Sequence, residues 1–291
     1  MAPYVNANSV AVITGGSGGI VLCTVEALSL TGMRVVLCAR DVEAAEKVIN
    51  DLTQKDNIRI QKLDLSDLNN IKEACEEIIS TEGSVDVLIN NAGVMAIPNR
   101  EETKEGFEMQ LGVNHIGHFM FSRLLLPHIN KGGRVVTVAS TAHEGGDIDK
   151  GDINYSEGRQ YTPWGAYSQS KLANILFAKG LQDKLSNTEK DIISLSLHPG
   201  VIKTSLWRNT PKAVQLISGV IADKTSEQGA ATNLYASLIR SETFNGGEYL
   251  ADCKIKNPNK KGEDEDGNLR DWLWTETEKL IAEKGFILPD I

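Results

Sequence analysis

Short aliphatic, β-branched runs separated by segments of helical period constrain this chain more than any other feature. The runs are Val10–Thr14, Val35–Ala39, Ile58–Asp64, Val85–Asn90, Arg134–Ser140 and Ile192–His198, with a seventh at Glu248–Ala251. The first six carry few polar interruptions, as strands covered on both faces do. Between them, Phe107, Leu111, Ile116, Phe119, Met120 and Leu124 recur at helical spacing, as do Leu172, Ile175, Leu176 and Leu185. Strand and helix alternating in this way imply repeated βαβ units. The expected fold is an α/β, doubly wound, mostly parallel sheet of about seven strands with helices on both faces, and its ligand site lies at the carboxyl ends of the strands. No linker or internal repeat divides residues 1–291, so one domain is expected. The charged stretch from Gly262 to Gly267 reads as a solvated loop before a last helix around Leu269–Lys284.

A formal net charge of −9 argues against a nucleic-acid partner, because phosphate backbones are bound by an excess of Lys and Arg. Cys23, Cys38, Cys75 and Cys253 have no metal-like spacing and read as reduced thiols. His115 and His118 lie three apart with no acidic or cysteine partner, so no metal site is expected. The first eight residues lack a basic segment followed by an apolar one, and no run of about 18 apolar residues occurs. The expectation is a cytoplasmic protein without a membrane anchor.

Chemistry enters at the end of the first strand, in Thr14-Gly15-Gly16-Ser17-Gly18-Gly19-Ile20. A glycine turn between strand and helix lets the backbone approach a diphosphate, which the helix N-terminus then receives. About 20 residues further on, where an acidic side chain would hold the ribose 2′-hydroxyl of NAD, the chain has Ala39 followed by Arg40. A guanidinium pairs with a 2′-phosphate through parallel hydrogen bonds, and Ser17 adds a hydroxyl, so the expected cofactor is NADP. Asn91, Ala92 and Gly93, after the fourth strand, suit a wall for the adenine ribose. Tyr167 and Lys171 are four apart and share a helix face. A cation about 4 Å from a phenol at an effective dielectric of about 20 stabilises the phenolate by roughly 4 kcal/mol, or roughly three pKa units. Ser140 offers a hydroxyl to a substrate oxygen, and Asn114 is placed to hold a water linking Lys171 to solvent.

In this order the motifs resemble the short-chain dehydrogenase/reductase family, specifically its retinol-dehydrogenase-like, WW-domain-oxidoreductase-like branch. The resemblance spans nearly the whole chain, including Gly112-Val113-Asn114-His115-Ile116-Gly117-His118-Phe119 and His198-Pro199-Gly200. It implies a Rossmann fold and a catalytic set of Asn114, Ser140, Tyr167 and Lys171. Tyr167 would be the acid/base, Ser140 would orient the carbonyl and Lys171 would hold the nicotinamide ribose. It further implies that Asp64 and Leu65 line the adenine, and that Pro199, Gly200, Ile202 and Thr204 surround the nicotinamide. The function implied is NADP(H)-dependent interconversion of a lipophilic carbonyl and its alcohol, with a small-molecule partner and an oligomeric state left open between monomer and dimer. Trp207 either lines the substrate pocket or caps the core.

One position departs from the pattern. The family's third turn glycine is Val21 here. A β-branched side chain there must displace the first helix or enter space left by smaller neighbours, and overpacking costs about 1–3 kcal/mol. On that ground a dinucleotide-binding regulator with little turnover stands as the alternative.

Overall fold

A computed structural model describes residues 5–16, 18–202, 224–239 and 241–291. Its eight strands form one sheet in the order β3-β2-β1-β4-β5-β6-β7-β8. They are β1 Val10–Thr14, β2 Arg34–Ala39, β3 Ile58–Lys62, β4 Val85–Asn90, β5 Ile129–Val138, β6 Ile193–His198, β7 Tyr249–Ala251 and β8 Lys254–Lys256. All pairs are parallel except the last. The main helices are α1 Ile20–Leu30, α2 Val42–Asn50, α3 Leu68–Glu82, α4 Met109–Leu111, α5 Gly117–Leu125, α6 Pro163–Leu185, α7 Ser226–Leu238, α8 Lys260–Glu263 and α9 Asn268–Glu283.

Successive strand residues point to opposite faces, and two separate cores result. Val12, Val36, Leu88 and Val135 pack with Ile71, Phe119, Leu176 and Trp274 on one face. Ala11, Ile13, Leu37 and Val136 pack with Val25, Leu28, Ile49 and Ala236 on the other. Helix starts are set by side-chain caps. Asp41 accepts from Ala44 N, Asp67 from Asn69 and Asn70 N, and Thr162 from Gly165 N just before Pro163. Because β1 lies between β2 and β4, the chain reverses its winding direction there, which opens a crevice at the carboxyl ends of β1 and β4.

The sheet has eight strands where about seven are expected from the sequence. β8 follows β7 through Asp252 and Cys253, both at positive φ, and its three residues are exposed, so it carries no apolar pattern. β3 stops at Lys62 because the Asp64 carboxylate accepts from Ser66 N and Oγ and bends the chain. The charged stretch is not simply a solvated loop. Asp264 is buried in the left-handed region, and its carboxylate accepts from Leu269 and Arg270 N at the start of α9. Among the described residues, no helix is long and apolar enough to cross a membrane, and no group of three potential metal ligands occurs.

Candidate active site

The crevice is organised by Thr14, the last residue of β1. Its Oγ1 accepts from Asn91 N at 3.0 Å and Ala92 N at 3.1 Å, which occupies both lone pairs. Its own proton must therefore go to His118 Nε2, 2.8 Å away, leaving His118 Nδ1–H to donate to the Asn114 carbonyl at 3.0 Å. The count fixes a neutral imidazole, and burial pulls its pKa down to about 3. A second tie comes from α7. Asn233 Nδ2 donates to Asn91 Oδ1 at 3.1 Å, which turns the Asn91 amide nitrogen toward Gly15.

Gly15 answers the question raised by Val21. A Cβ on Gly15 would lie 2.5 Å from Val21 Cγ2. The isopropyl group is buried in the core beneath the turn, in space that Gly15 leaves by having no side chain. On the outer side, a Cβ on Gly16 or Gly18 would meet nothing within 4 Å. Gly19, at φ 61°, is the N-cap of α1, with no side-chain cap and no acidic residue in the first turn among the described residues. The first N–H groups of α1 are thus left for an anion. Ile20 and Ile202 pack together against Gly229 of α7. Ser17, Thr204 and Trp207 lie outside the described residues.

On α6, Tyr167 and Lys171 project together, and both are buried. The Ser140 hydroxyl lies near enough to the phenol to lower its pKa, and Ser140 accepts from Ala142 N. Lys171 Nζ donates to the Val138 carbonyl at 3.0 Å and sits 5.7 Å from the centre of the Tyr167 ring. Gly93 makes the approach possible, since a Cβ there would lie 3.1 Å from Asn114 Oδ1 and 3.5 Å from Lys171 Nζ. Asn114 stands in a π-turn, Gly112–Ile116, and clasps the main chain of Val94. Its Oδ1 accepts from Val94 N, while its Nδ2 donates to Val94 O and Ser170 Oγ. This amide is engaged in docking the loop after β4, which is more than the water-holding expected of it.

The electrostatics also differ from the expectation. Burial pushes the Tyr167 phenol up to about 12, only partly offset by the nearby Ser140 hydroxyl. Burial also pulls the Lys171 ammonium down to about 8. The ammonium faces the ring and the Val138 carbonyl, so loss of water dominates both groups.

A family model for short chain dehydrogenases matches residues 9–215. This chain belongs to the short-chain dehydrogenase family. It is an oxidoreductase of the retinol-dehydrogenase-like branch. Retinol dehydrogenase 13 of Homo sapiens is 36% identical over 283 residues, which cover 93% of this chain and 84% of that protein. Polyprenol dehydrogenase of Mus musculus is 35% identical, covering 95% and 84%. Among solved structures, an uncharacterized protein from Mycobacterium Paratuberculosis has a TM-score of 0.79 at 32% identity, covering 97% of this chain and 95% of that one. The 3-ketoacyl-(acyl-carrier-protein) reductase from Brucella melitensis, complexed with NADH, has a TM-score of 0.64 at 25% identity, covering 83% and 95%.

Within this short-chain dehydrogenase, the remaining described residues expected at the site follow the carboxyl ends of β2, β3 and β6. Arg40 is exposed just past β2, and no ion pair holds it among the described residues. Asp64 shapes the turn after β3, and Leu65 is buried with its carbonyl above Gly117. Pro199 and Gly200 follow β6, where the Lys224 side chain lies against Gly200 and pairs with Asp252. His198 Nδ1 accepts from Thr141 N and so ties β6 to the Ser140 turn. Asn233 and Lys224 fall in no sequence motif, and only their contacts in the folded chain reveal them.

Proposed function

We propose that this chain is a cytoplasmic NADP(H)-dependent oxidoreductase that interconverts a lipophilic carbonyl compound and its alcohol, with Tyr167 passing the proton. The observation that carries the reading is the buried Tyr167 phenol beside the Ser140 hydroxyl, with the Lys171 ammonium 5.7 Å from its ring centre one helical turn on. Support for the dinucleotide comes from the uncapped start of α1, the open faces of Gly16 and Gly18, and the unpaired Arg40. Support for a lipophilic substrate comes from Met95, Ala96 and Ala142 around the phenol, and from Trp164, 43% exposed and edge-on to it at 6.0 Å. The names of the relatives point the same way, since retinol and polyprenol are lipophilic alcohols.

When bound, the nicotinamide supplies hydride to the carbonyl carbon. The chain's own residues handle the oxygen. The Ser140 hydroxyl orients it, and Tyr167, held protonated at neutral pH by burial, is the proton donor in the reductive direction. Lys171, positively charged at pH 7, favours the phenolate left behind and would hold the nicotinamide ribose. Asn114 keeps the Val94 loop, and with it Gly93, at the distance Lys171 needs. Val21 no longer favours a regulator without turnover, because its side chain is accommodated beneath Gly15.

The test is Tyr167→Phe, assayed on a panel of aldehydes and ketones and by NADPH fluorescence titration. Turnover falls by about 100-fold or more, the scale of a lost general acid, while NADPH affinity stays within about twofold. Equal loss of both would make the phenol a structural group.

A further inference from the structure

Register places two cations side by side at one edge of the crevice. In the β2–β3 pair, Ala39 is opposite Lys62, so the residue ending β3 stands beside the residue that precedes Arg40. The Lys62 ammonium donates to the Arg40 main-chain carbonyl, which anchors it at that position. An ammonium has three N–H donors, and among the described residues this one uses a single donor. Arg40 uses none of its five side-chain donors among the described residues, whereas every other described arginine is tied to a carboxylate or a main-chain carbonyl. Both side chains are exposed. The acid next in sequence, Asp41, accepts from Ala44 N at 2.9 Å as the cap of α2 and forms no ion pair with either cation.

We infer that Lys62 is a second phosphate-reading residue, which together with Arg40 receives the 2′-phosphate of NADP(H). This rests on the NADP(H) reading above. A phosphate monoester carries a charge of about −1.5 to −2 at neutral pH, which one cation leaves uncompensated. The planar Arg40 guanidinium takes two oxygens in parallel, and the Lys62 ammonium, a point charge with free donors, takes the third. Lys62 ends β3 and Arg40 directly follows the last residue of the neighbouring β2, so the spacing of the two main chains there is set by the sheet.

The experiment is fluorescence titration of NADPH and NADH against the wild-type chain, Lys62→Met, Arg40→Ala and the double variant, at about 0.15 M and about 0.5 M salt. Lys62→Met keeps the aliphatic stem and removes the charge. It weakens NADPH binding by about 5- to 50-fold at the lower salt and leaves NADH binding within about twofold, and the NADPH effect shrinks at higher salt. Lys62→Met also costs further NADPH affinity in the Arg40→Ala background. The inference is overturned if Lys62→Met weakens both dinucleotides equally, weakens neither, or adds nothing once Arg40 is gone. A wild-type chain that binds NADH as tightly as NADPH overturns instead the NADP(H) reading on which it rests.

Discussion

Lys171→Met should make the folded protein more stable at neutral pH while abolishing turnover. Lys171 is 3% exposed, and its pKa falls from 10.5 to about 8 because burial removes its water. A folded-state pKa depressed by about 2.5 units corresponds to about 3 kcal/mol of destabilisation at pH 7. The sign follows from proton binding. Between pH 8 and 10.5 the unfolded lysine holds its proton and the folded one has released it, so the wild type gains stability as pH rises through that window. The cost is fully present below pH 8 and has shrunk to about 1 kcal/mol at pH 9.5. Methionine fills nearly the same volume without a charge. The Val138 carbonyl is not orphaned, because Asn174 Nδ2 also donates to it at 3.0 Å. Urea unfolding at pH 7.0 and 9.5 measures the difference. The variant gains about 2–3 kcal/mol at pH 7.0, and the gap narrows by about 2 kcal/mol at pH 9.5. A variant no more stable than wild type at pH 7.0, or a gap that does not change with pH, would refute the burial argument.

Two other outcomes follow from the same packing. Gly15→Ala places a methyl group 2.5 Å from Val21 Cγ2 and lowers stability by about 1–3 kcal/mol in thermal or urea unfolding. Adding Val21→Ala recovers part of that loss, and no recovery would mean that the two positions do not meet. His115 and His118 are held neutral by burial with pKa values of about 3, against the usual 6.5 of an imidazole. The unfolded chain takes up their protons as pH falls below 6.5, so stability drops by about 2 kcal/mol for each by pH 5. A urea midpoint that stays flat between pH 6.5 and 5 would contradict their burial as neutral groups.

The strands that end at the site were legible because both of their faces are covered, and a buried parallel strand announces itself as an unbroken aliphatic run. β8 was not, since Lys254, Ile255 and Lys256 are exposed and pair only through the backbone across the Asp252-Cys253 turn. Asp264 looked like one charge among several, and only its position at the start of α9 makes it a buried cap. Trp164 is a further case. Its indole lies one helical turn before the Tyr167 phenol, and a lone aromatic at a helix start has no signal in the chain.

Spacing along the chain determined which groups can share a face. Tyr167 and Lys171 lie one helical turn apart, and the glycines follow β1 directly, because helix and strand periods are local properties of the backbone. Which water those groups keep was decided only by tertiary packing. The same Tyr167–Lys171 pair that sequence reasoning makes acidic by charge is governed by desolvation in the folded chain, and the direction of the phenol's shift reverses. Likewise, Lys62 stands 22 residues from Arg40 in the chain, and only the register of β2 on β3 brings its ammonium to that residue's carbonyl. Covalent order sets the available chemistry, while burial and register set its electrostatics, because the dielectric around a charge depends on everything folded against it.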